Sequence, residues 1–469
     1  MNNLPQLPKD LIDSLANAPG FDKKAFEAVH QSGEQVTSIR LNKAKYNFVQ
    51  KGGGFNENAV NNFFESANPV PWCSAGYYLP ERPSFTFDPL FHAGAYYVQE
   101  ASSMFLEQVV KKIFPDHSVM PYRVLDLCAA PGGKSTHLSD LFPEGLVVAN
   151  EVIKTRSGIL AENVVKWGND NLVVTSNDPK DFQHLQGYFD MIVVDAPCSG
   201  SGMFRKDAEA INEWSLQSVD YCGNRQQRIL EDIWPALKED GILVYSTCSY
   251  SVVEDENIMD WIGKKFSVES IPIPVAESWG IVEGISPEQK ISSYRFYPDK
   301  IKGEGFFISC VRKKNMAVPS AINAKKFSLL PNKDKKVLNH IISESDKLEF
   351  IVKGDEVVAV KKQWFETLSE LFTALYIKKL GINIGKILRD ELIPSHELAL
   401  SVLRLSNVNC IEVDKDQALQ YLRRSDFNMQ SEQKGWNIIV YKGYNLGWVK
   451  VLVNRINNYY PSAYRILKQ

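Results

Sequence analysis

Two cysteines stand where a thiol could do chemistry. Cys198 lies in "DAPCSGSGMFRKD" and Cys248 in "YSTCSYS", each just after an apolar run and each inside a polar turn of serine and glycine. A thiolate is a strong nucleophile once its surroundings lower its pKa, and the carboxyl end of a buried strand is where an open α/β sheet gathers its ligands. The remaining cysteines read differently. Cys73, Cys222, Cys310 and Cys410 are expected to serve as small buried apolar residues, and Cys128 to pack inside a loop. No Cys-x-x-Cys pair and no histidine at zinc-ligand spacing is present, so neither a disulfide framework nor a metal site is expected.

A third stretch, "CAAPGGKST" at 128–136, ends in Gly-Lys-Ser after the apolar "RVLDL" and invites comparison with a triphosphate-binding loop. That loop needs a glycine where this chain has Cys128, so the motif fails at the residue its geometry requires. Two adjacent glycines, Gly132 and Gly133, instead let backbone come close to a ligand at a helix N-terminus. Carboxylates then recur at successive strand ends. Glu151 follows "LVVAN", Asp178 follows "NLVVTSN" and Asp195 closes "DMIVVD". Glu151 is placed to meet a ribose and Asp178 an adenine amine, so the series points to a nucleoside cofactor such as S-adenosylmethionine.

These residues require a particular scaffold. Between 91 and 312 the runs "RVLDL", "LVVAN", "NLVVT", "DMIVVDAP" and "GILVYSTC" alternate with amphipathic helical stretches, which predicts a doubly wound α/β sheet of buried parallel strands. "SSYRFYPDK" and "EGFFISCVRK" should add an antiparallel pair joined through Gly303 and Gly305. Residues 1–90 mix a helical "PKDLIDSLANA", an extended "SIRLNKAKY" and a glycine-rich turn "KGGGF", as in a small α+β accessory domain. Residues 313–326 form a basic, proline-broken linker, 327–400 a mixed α/β connecting domain, and 401–469 a β-rich, aromatic end domain.

Bulk properties fit an ordinary globular chain of 469 residues, 44% hydrophobic, with no apolar run near membrane-spanning length and no secretory start. A cytoplasmic protein is expected. The net charge of −3 conceals an asymmetry: from Lys313 onward there are 25 Lys+Arg against 16 Asp+Glu, and before it 28 against 40. Such a division can mark a nucleic-acid-binding appendage. Trp436, Tyr441, Tyr444, Trp448, Tyr459 and Tyr460 lie among the C-terminal cations, and about half of these rings are expected in a core and the rest free to stack on RNA.

Taken together, "DLCAAPGGKSTHLS", "NDPKDF", "DAPCSGSGMFRKD", "QQRIL" and "YSTCSYSVVEDENI" resemble the RNA (cytosine-5) methyltransferases of the Nol/Nop/Sun family. The resemblance reaches upstream to "SIRLN" and "HAGAYYVQEASSM" and downstream to "YRFYPDKIKGEGFF". The C-terminal "GINIGKILRDELIPSHELAL" and "GWVKVLVNRINNYYP" are similar to bacterial ribosomal-RNA members with a pseudouridine-synthase/archaeosine-transglycosylase-like (PUA-like) RNA-binding domain. One departure is Asp299 in "YPDK", where relatives commonly have histidine.

The resemblance implies a class I, Rossmann-like methyltransferase that uses S-adenosyl-L-methionine and methylates C5 of cytosine in structured RNA, here 16S ribosomal RNA or the small ribosomal subunit, as a monomer. It implies that Cys248 attacks the base, that Cys198 assists C5 deprotonation and product release, and that Asp195 bonds cytosine N3 and edges the cofactor. Cofactor binding falls to Cys128, Ala129, Ala130, Pro131, Gly132, Gly133, Lys134, Glu151 and Asp178. Lys206 in "FRKD" is expected beside the RNA or beside Asp195. Alternatives are a transfer-RNA or 23S-RNA methyltransferase, and a non-catalytic RNA-binding or ribosome-assembly factor that kept the fold.

Overall fold

The computed structural model describes residues 6–49, 59–316, 319, 321–425 and 433–468. The expected "KGGGF" turn lies outside the described residues, as do 317, 318 and 320 of the expected linker.

A ten-stranded sheet forms the centre. Its five parallel strands are β1 (Arg123–Asp126), β2 (Leu146–Asn150), β3 (Leu172–Thr175), β4 (Phe189–Asp195) and β5 (Leu237–Thr247). Five further strands complete it: β6 (Val268–Ser270), β7 (Val282–Ile285), β8 (Ser292–Phe296), β9 (Phe306–Lys313) and β10 (Ile377–Lys379). The order is β7-β8-β9-β5-β4-β1-β2-β3-β10, with β6 on β9. Strands β1, β2 and β3 step outward in one direction and β4 and β5 in the other, so the order reverses between β1 and β4. Ligands bind at that crevice in open α/β sheets. The apolar runs are strands because both faces are covered: Val124, Val147 and Val193 belong to one core, and Leu125, Val148 and Ile192 to the other.

The predicted β8–β9 pair is present and antiparallel. Strand β10 comes from well beyond the linker and pairs with β3, and Trp364, Leu368 and Leu371 of the helical stretch before it join the central core. Helices α1 (Gly133–Leu141), α2 (Lys154–Trp167), α3 (Leu216–Ile233) and α4 (Glu256–Lys265) flank the sheet.

A four-stranded sheet of Asn68–Pro69, Gly76–Leu79, Thr37–Leu41 and Tyr96–Val98 precedes the central one. Here one expectation is corrected: "SIRLNKAKY" is extended only to Leu41, and Lys43–Val49 is helical. Asn42 causes the change, since its Oδ1 accepts from Lys45 N at 3.1 Å and caps the new helix. Two four-stranded sheets follow the linker, one spanning 348–394 and one spanning 409–458. The last packs on the N-terminal sheet, where Ile39, Tyr77 and Tyr96 share a core with Tyr421, Ile439 and Leu446.

Among the six C-terminal aromatics, Tyr441, Tyr444, Trp448 and Tyr460 are buried, leaving Tyr459 exposed and Trp436 half-buried. Packing therefore claims more of them than expected. Cys73 and Cys310 are buried, but Cys410 is exposed on the edge strand Asn409–Glu412 and fills no core. Nor is Cys73 a plain apolar filler: it donates to Glu107 Oε2 at 3.2 Å beside His137, a grouping that sequence spacing gave no sign of.

Candidate active site

The chain leaves β1 through Leu127 and turns into α1 at Gly132, whose φ of +118° is a conformation that favours glycine. Three neighbours fasten this loop. Arg156 donates to Ala130 O at 2.8 Å, Asn163 to Pro131 O at 2.8 Å, and the fully buried Arg40 to Thr136 Oγ1 at 2.6 Å and Gly133 O at 3.4 Å. The first amides of α1 are left free of intrahelical partners, a ready anion- or dipole-binding cradle.

Asn150 at the end of β2 ties the adjoining strand ends together. Its amide donates to Leu127 O and Asn177 O and accepts from Thr175 Oγ1. Glu151 follows, buried, with Oε1 accepting from Ile153 N at 2.9 Å and Oε2 3.4 Å from Arg156. Asp178 caps the short helix Pro179–His184, accepting from Lys180 N at 3.2 Å. The loop residue Cys128 feels Asp126, Asp195 and Glu151 together; burial first and these carboxylates second push its thiol well above the ordinary range. Cys128 is half-buried and packs against the core behind the loop.

Asp126, at the end of β1, lies inside the apolar run "RVLDL" and has no sequence signal of its own. It is fully buried, its Oδ2 accepts from Ser135 Oγ at 2.6 Å, and its Oδ1 has no partner. Burial pushes its pKa up to about 7. An orphaned carboxylate oxygen under the loop is a feature a cofactor with a polar end would satisfy.

Across the switch point, Asp195 ends β4. Its Oδ1 accepts from Ser246 Oγ at 2.7 Å, and its Oδ2 lies 2.8 Å from Lys134 Nζ. The cation beside Asp195 is thus Lys134, whereas Lys206, expected beside the RNA or this carboxylate, is exposed on its own loop. Lys134 is largely enclosed; burial opposes its charge, but Asp195, Asp126 and Cys248 outweigh burial and its pKa is raised.

The two cysteines expected to act meet here. Cys198 Sγ and Cys248 Sγ are 2.9 Å apart, brought together from the ends of β4 and β5. The hydrogen bond with Cys248, and then burial, hold the Cys198 thiol well above its ordinary pKa. Either sulfur can donate in this contact. Beneath them lies Glu254, fully buried, which accepts from Ser199 N at 2.7 Å, Ser199 Oγ at 2.6 Å and Ser249 Oγ at 2.6 Å. It binds the residue after each cysteine and so fixes both turns at once. Gly202 closes the gap from the other side, donating to Cys248 O at 2.8 Å where an added Cβ would lie 2.7 Å from that oxygen. Glu254 sits in the quoted "SVVEDENI", but three neighbouring acids gave no means of choosing it.

Known proteins resemble this chain in sequence and in fold. Residues 118–312 match the model described as 16S rRNA methyltransferase RsmB/F, residues 7–101 the N-terminal domain of 16S rRNA methyltransferase RsmF, and residues 408–466 the methyltransferase RsmF PUA domain. Ribosomal RNA small subunit methyltransferase F of Aliivibrio fischeri strain MJ11 is 30% identical over 440 residues, covering 90% of each chain. The protein of the same name from Shewanella woodyi is 30% identical over 476 residues, covering 97% of this chain and 96% of its own. A methyltransferase homolog from Pyrococcus horikoshii superposes with a TM-score of 0.50 at 27% identity, over 66% of this chain and all of its own. The NSun6 of that organism, solved with SFG, shares the fold with a TM-score of 0.52 at 18% identity, over 66% of this chain and all of its own. The chain belongs to the RsmB/F family of 16S rRNA methyltransferases.

Proposed function

We propose that the protein transfers the methyl group of S-adenosylmethionine to C5 of a cytosine in 16S ribosomal RNA while a cysteine is bonded to C6 of that base. The observation that carries this reading is the pair of thiols 2.9 Å apart at two strand ends, beside a carboxylate already paired with a lysine. Cytosine C5 is too weak a nucleophile to take a methyl group unaided, and adding a thiolate at C6 turns it into an enamine carbon.

Cys248 is the attacking residue. It attacks C6 as a thiolate, the nucleophilic form of the thiol. Asp195 bonds cytosine N3 and stabilises the charge and proton that N3 acquires as C6 is attacked, with Ser246 and Lys134 holding the carboxylate in place. The cofactor supplies an electrophilic methyl group on a positively charged sulfur. Once C5 carries that methyl, its remaining proton must leave. Cys198, having lost its own proton to solvent once Cys248 is bonded to C6, takes it; the C5=C6 bond re-forms, the C6–S bond breaks and Cys248 returns as a thiolate, so one proton leaves per methyl transferred.

Residues 128–134 hold the cofactor along the open amides of α1. Glu151 takes the ribose hydroxyls, and Asp178 offers its second oxygen to the adenine amine. Residues 1–90 and 401–469, packed on one another, grip RNA beside the catalytic domain 91–312, with 313–326 linking and 327–400 connecting. Lys206 is free to meet RNA. All these groups come from one chain, which suits a monomer, and the site of action is the cytoplasm, where the ribosome is. No described helix is long and apolar enough to cross a membrane.

Bisulfite sequencing of RNA from cells with and without the gene tests this function. Loss of 5-methylcytosine at a 16S position is expected. Loss confined to 23S or transfer RNA would reassign the substrate, and no loss anywhere would remove the methyltransferase reading.

A further inference from the structure

A cavity of about 310 Å³ lies away from the paired cysteines, between the N-terminal sheet and the far half of α2. Arg82, Phe85, Phe91, Tyr97, Asn163 and Lys166 line it. Two cations sit over aromatic rings, Arg82 at 5.4 Å from the Phe85 centroid and Lys166 at 4.7 Å from that of Phe91. Among the described residues Arg82 forms no salt bridge, and Lys166 has only the electrostatic influence of Glu162, four positions earlier on the same helix. Lys166 is also half-buried, and burial lowers its pKa, so an anion would relieve it.

The polar groups of the cavity are arranged for recognition. Asn163 uses its amide nitrogen on Pro131 O at 2.8 Å and on Tyr97 Oη at 3.4 Å. Its Oδ1 has no protein donor among the described residues. Tyr97 is half-buried, which gives a ring for stacking close to a free acceptor. The volume suits a single nucleotide, the rings suit a base, and the two cations suit its phosphates.

We infer that this cavity binds one unpaired nucleotide of the RNA substrate, distinct from the cytosine that is methylated. The inference rests on the RNA-methylating function proposed above. Two contacts set the cavity on the RNA path. Tyr97 and Asn163 adjoin the cofactor loop: a Cβ on Gly133 would lie 3.5 Å from the Tyr97 ring, and Asn163 holds Pro131. On the other flank the end domain approaches, with Arg423 5.6 Å from the ring of Phe87. RNA that touches both the catalytic domain and the PUA domain can cross this seam. The base stacks on Tyr97, Asn163 Oδ1 accepts from an exocyclic amine or ring N–H, and Arg82 and Lys166 take the flanking phosphates.

The test measures methyl transfer from tritiated S-adenosylmethionine to unmodified 16S RNA and to 30S subunits by the full-length protein. Arg82→Glu and Lys166→Glu should each raise KM for the better RNA substrate at least fivefold, leaving kcat within twofold and KM for the cofactor unchanged, and Tyr97→Leu should raise the same RNA KM. Arg82 is exposed, so its variant keeps the test open if Lys166→Glu or Tyr97→Leu fails to fold. Replacing the cations should also flatten the salt dependence of RNA binding. An unchanged RNA KM and salt slope for Arg82→Glu, in an enzyme that still methylates, would overturn the inference. So would a fall in kcat with RNA KM unmoved. Failure of the function itself is a separate result: the wild-type protein would then methylate neither RNA nor subunits.

Discussion

Lys134 Nζ and Asp195 Oδ2 lie 2.8 Å apart, the lysine at the start of α1 and the aspartate at the end of β4, so one ion pair spans the switch point of the sheet. Its two ends differ in exposure. The Lys134 side chain is 12% exposed and that of Asp195 34%. Asp195→Asn strands a buried ammonium, whereas Lys134→Met leaves a carboxylate that water can reach. The first should therefore destabilise more, by about 2 kcal/mol against about 1 kcal/mol. Asp195→Asn should also lower the single-turnover rate by about 10²–10³-fold, as loss of one charge-stabilising group does, with RNA affinity retained. Equal rates in variant and wild type would remove Asp195 from the chemistry.

Glu254 is placed to set the distance between the two thiols through Ser199 and Ser249. Glu254→Gln keeps the shape but points an amide nitrogen at donors. The expected result is a fall in kcat of about 10–100-fold, with KM for RNA and cofactor within threefold. Steady-state kinetics read this directly, and a variant altered only in thermal stability would make Glu254 a structural acid.

Gly202 bears on the same turns from the opposite side. A Cβ there would lie 2.6 Å from Gly305 O and 2.7 Å from Cys248 O, both backbone atoms that cannot swing away. Gly202→Ala should cost about 1–3 kcal/mol of stability and lower kcat by displacing Cys248. Denaturant unfolding and single-turnover rates check the two effects together.

His30 provides the pH dependence. It packs on Phe26, its Nε2 has no partner, and burial lowers its pKa to about 4. Between pH 6.5 and about 4 the unfolded chain holds a proton that the folded one does not, so stability falls as pH falls through that window. The loss attributable to His30, discounted for its partial exposure, is about 2 kcal/mol. His30→Gln should flatten this part of the stability-against-pH curve, and an unaltered curve would show that His30 titrates normally.

Much of this site was legible in the chain because its parts are local. Cys198, Cys248, Glu151, Asp178 and Asp195 all follow apolar runs, and an apolar run between turns is what a strand buried on both faces looks like. The pairings across the sheet were not legible. Lys134 precedes Asp195 by 61 positions, so nothing in the spacing prefers it to Lys206. Asp126 and Glu254 are single acids among apolar or acidic neighbours, and only burial singles them out. Strand β10 is three residues with two lysines, and it is a strand because β3 offers an open edge. The C-terminal rings show in the sequence only as composition, which does not separate a stacking face from a core.

The covalent step is the central claim, and a denaturing gel tests it most directly. Cys198→Ala, incubated with unmodified 16S RNA and S-adenosylmethionine, should accumulate a protein–RNA species that survives SDS, and Cys198→Ala/Cys248→Ala should not. Cys248→Ala alone should give neither adduct nor 5-methylcytosine. Methylated RNA from the Cys248→Ala protein would contradict the account.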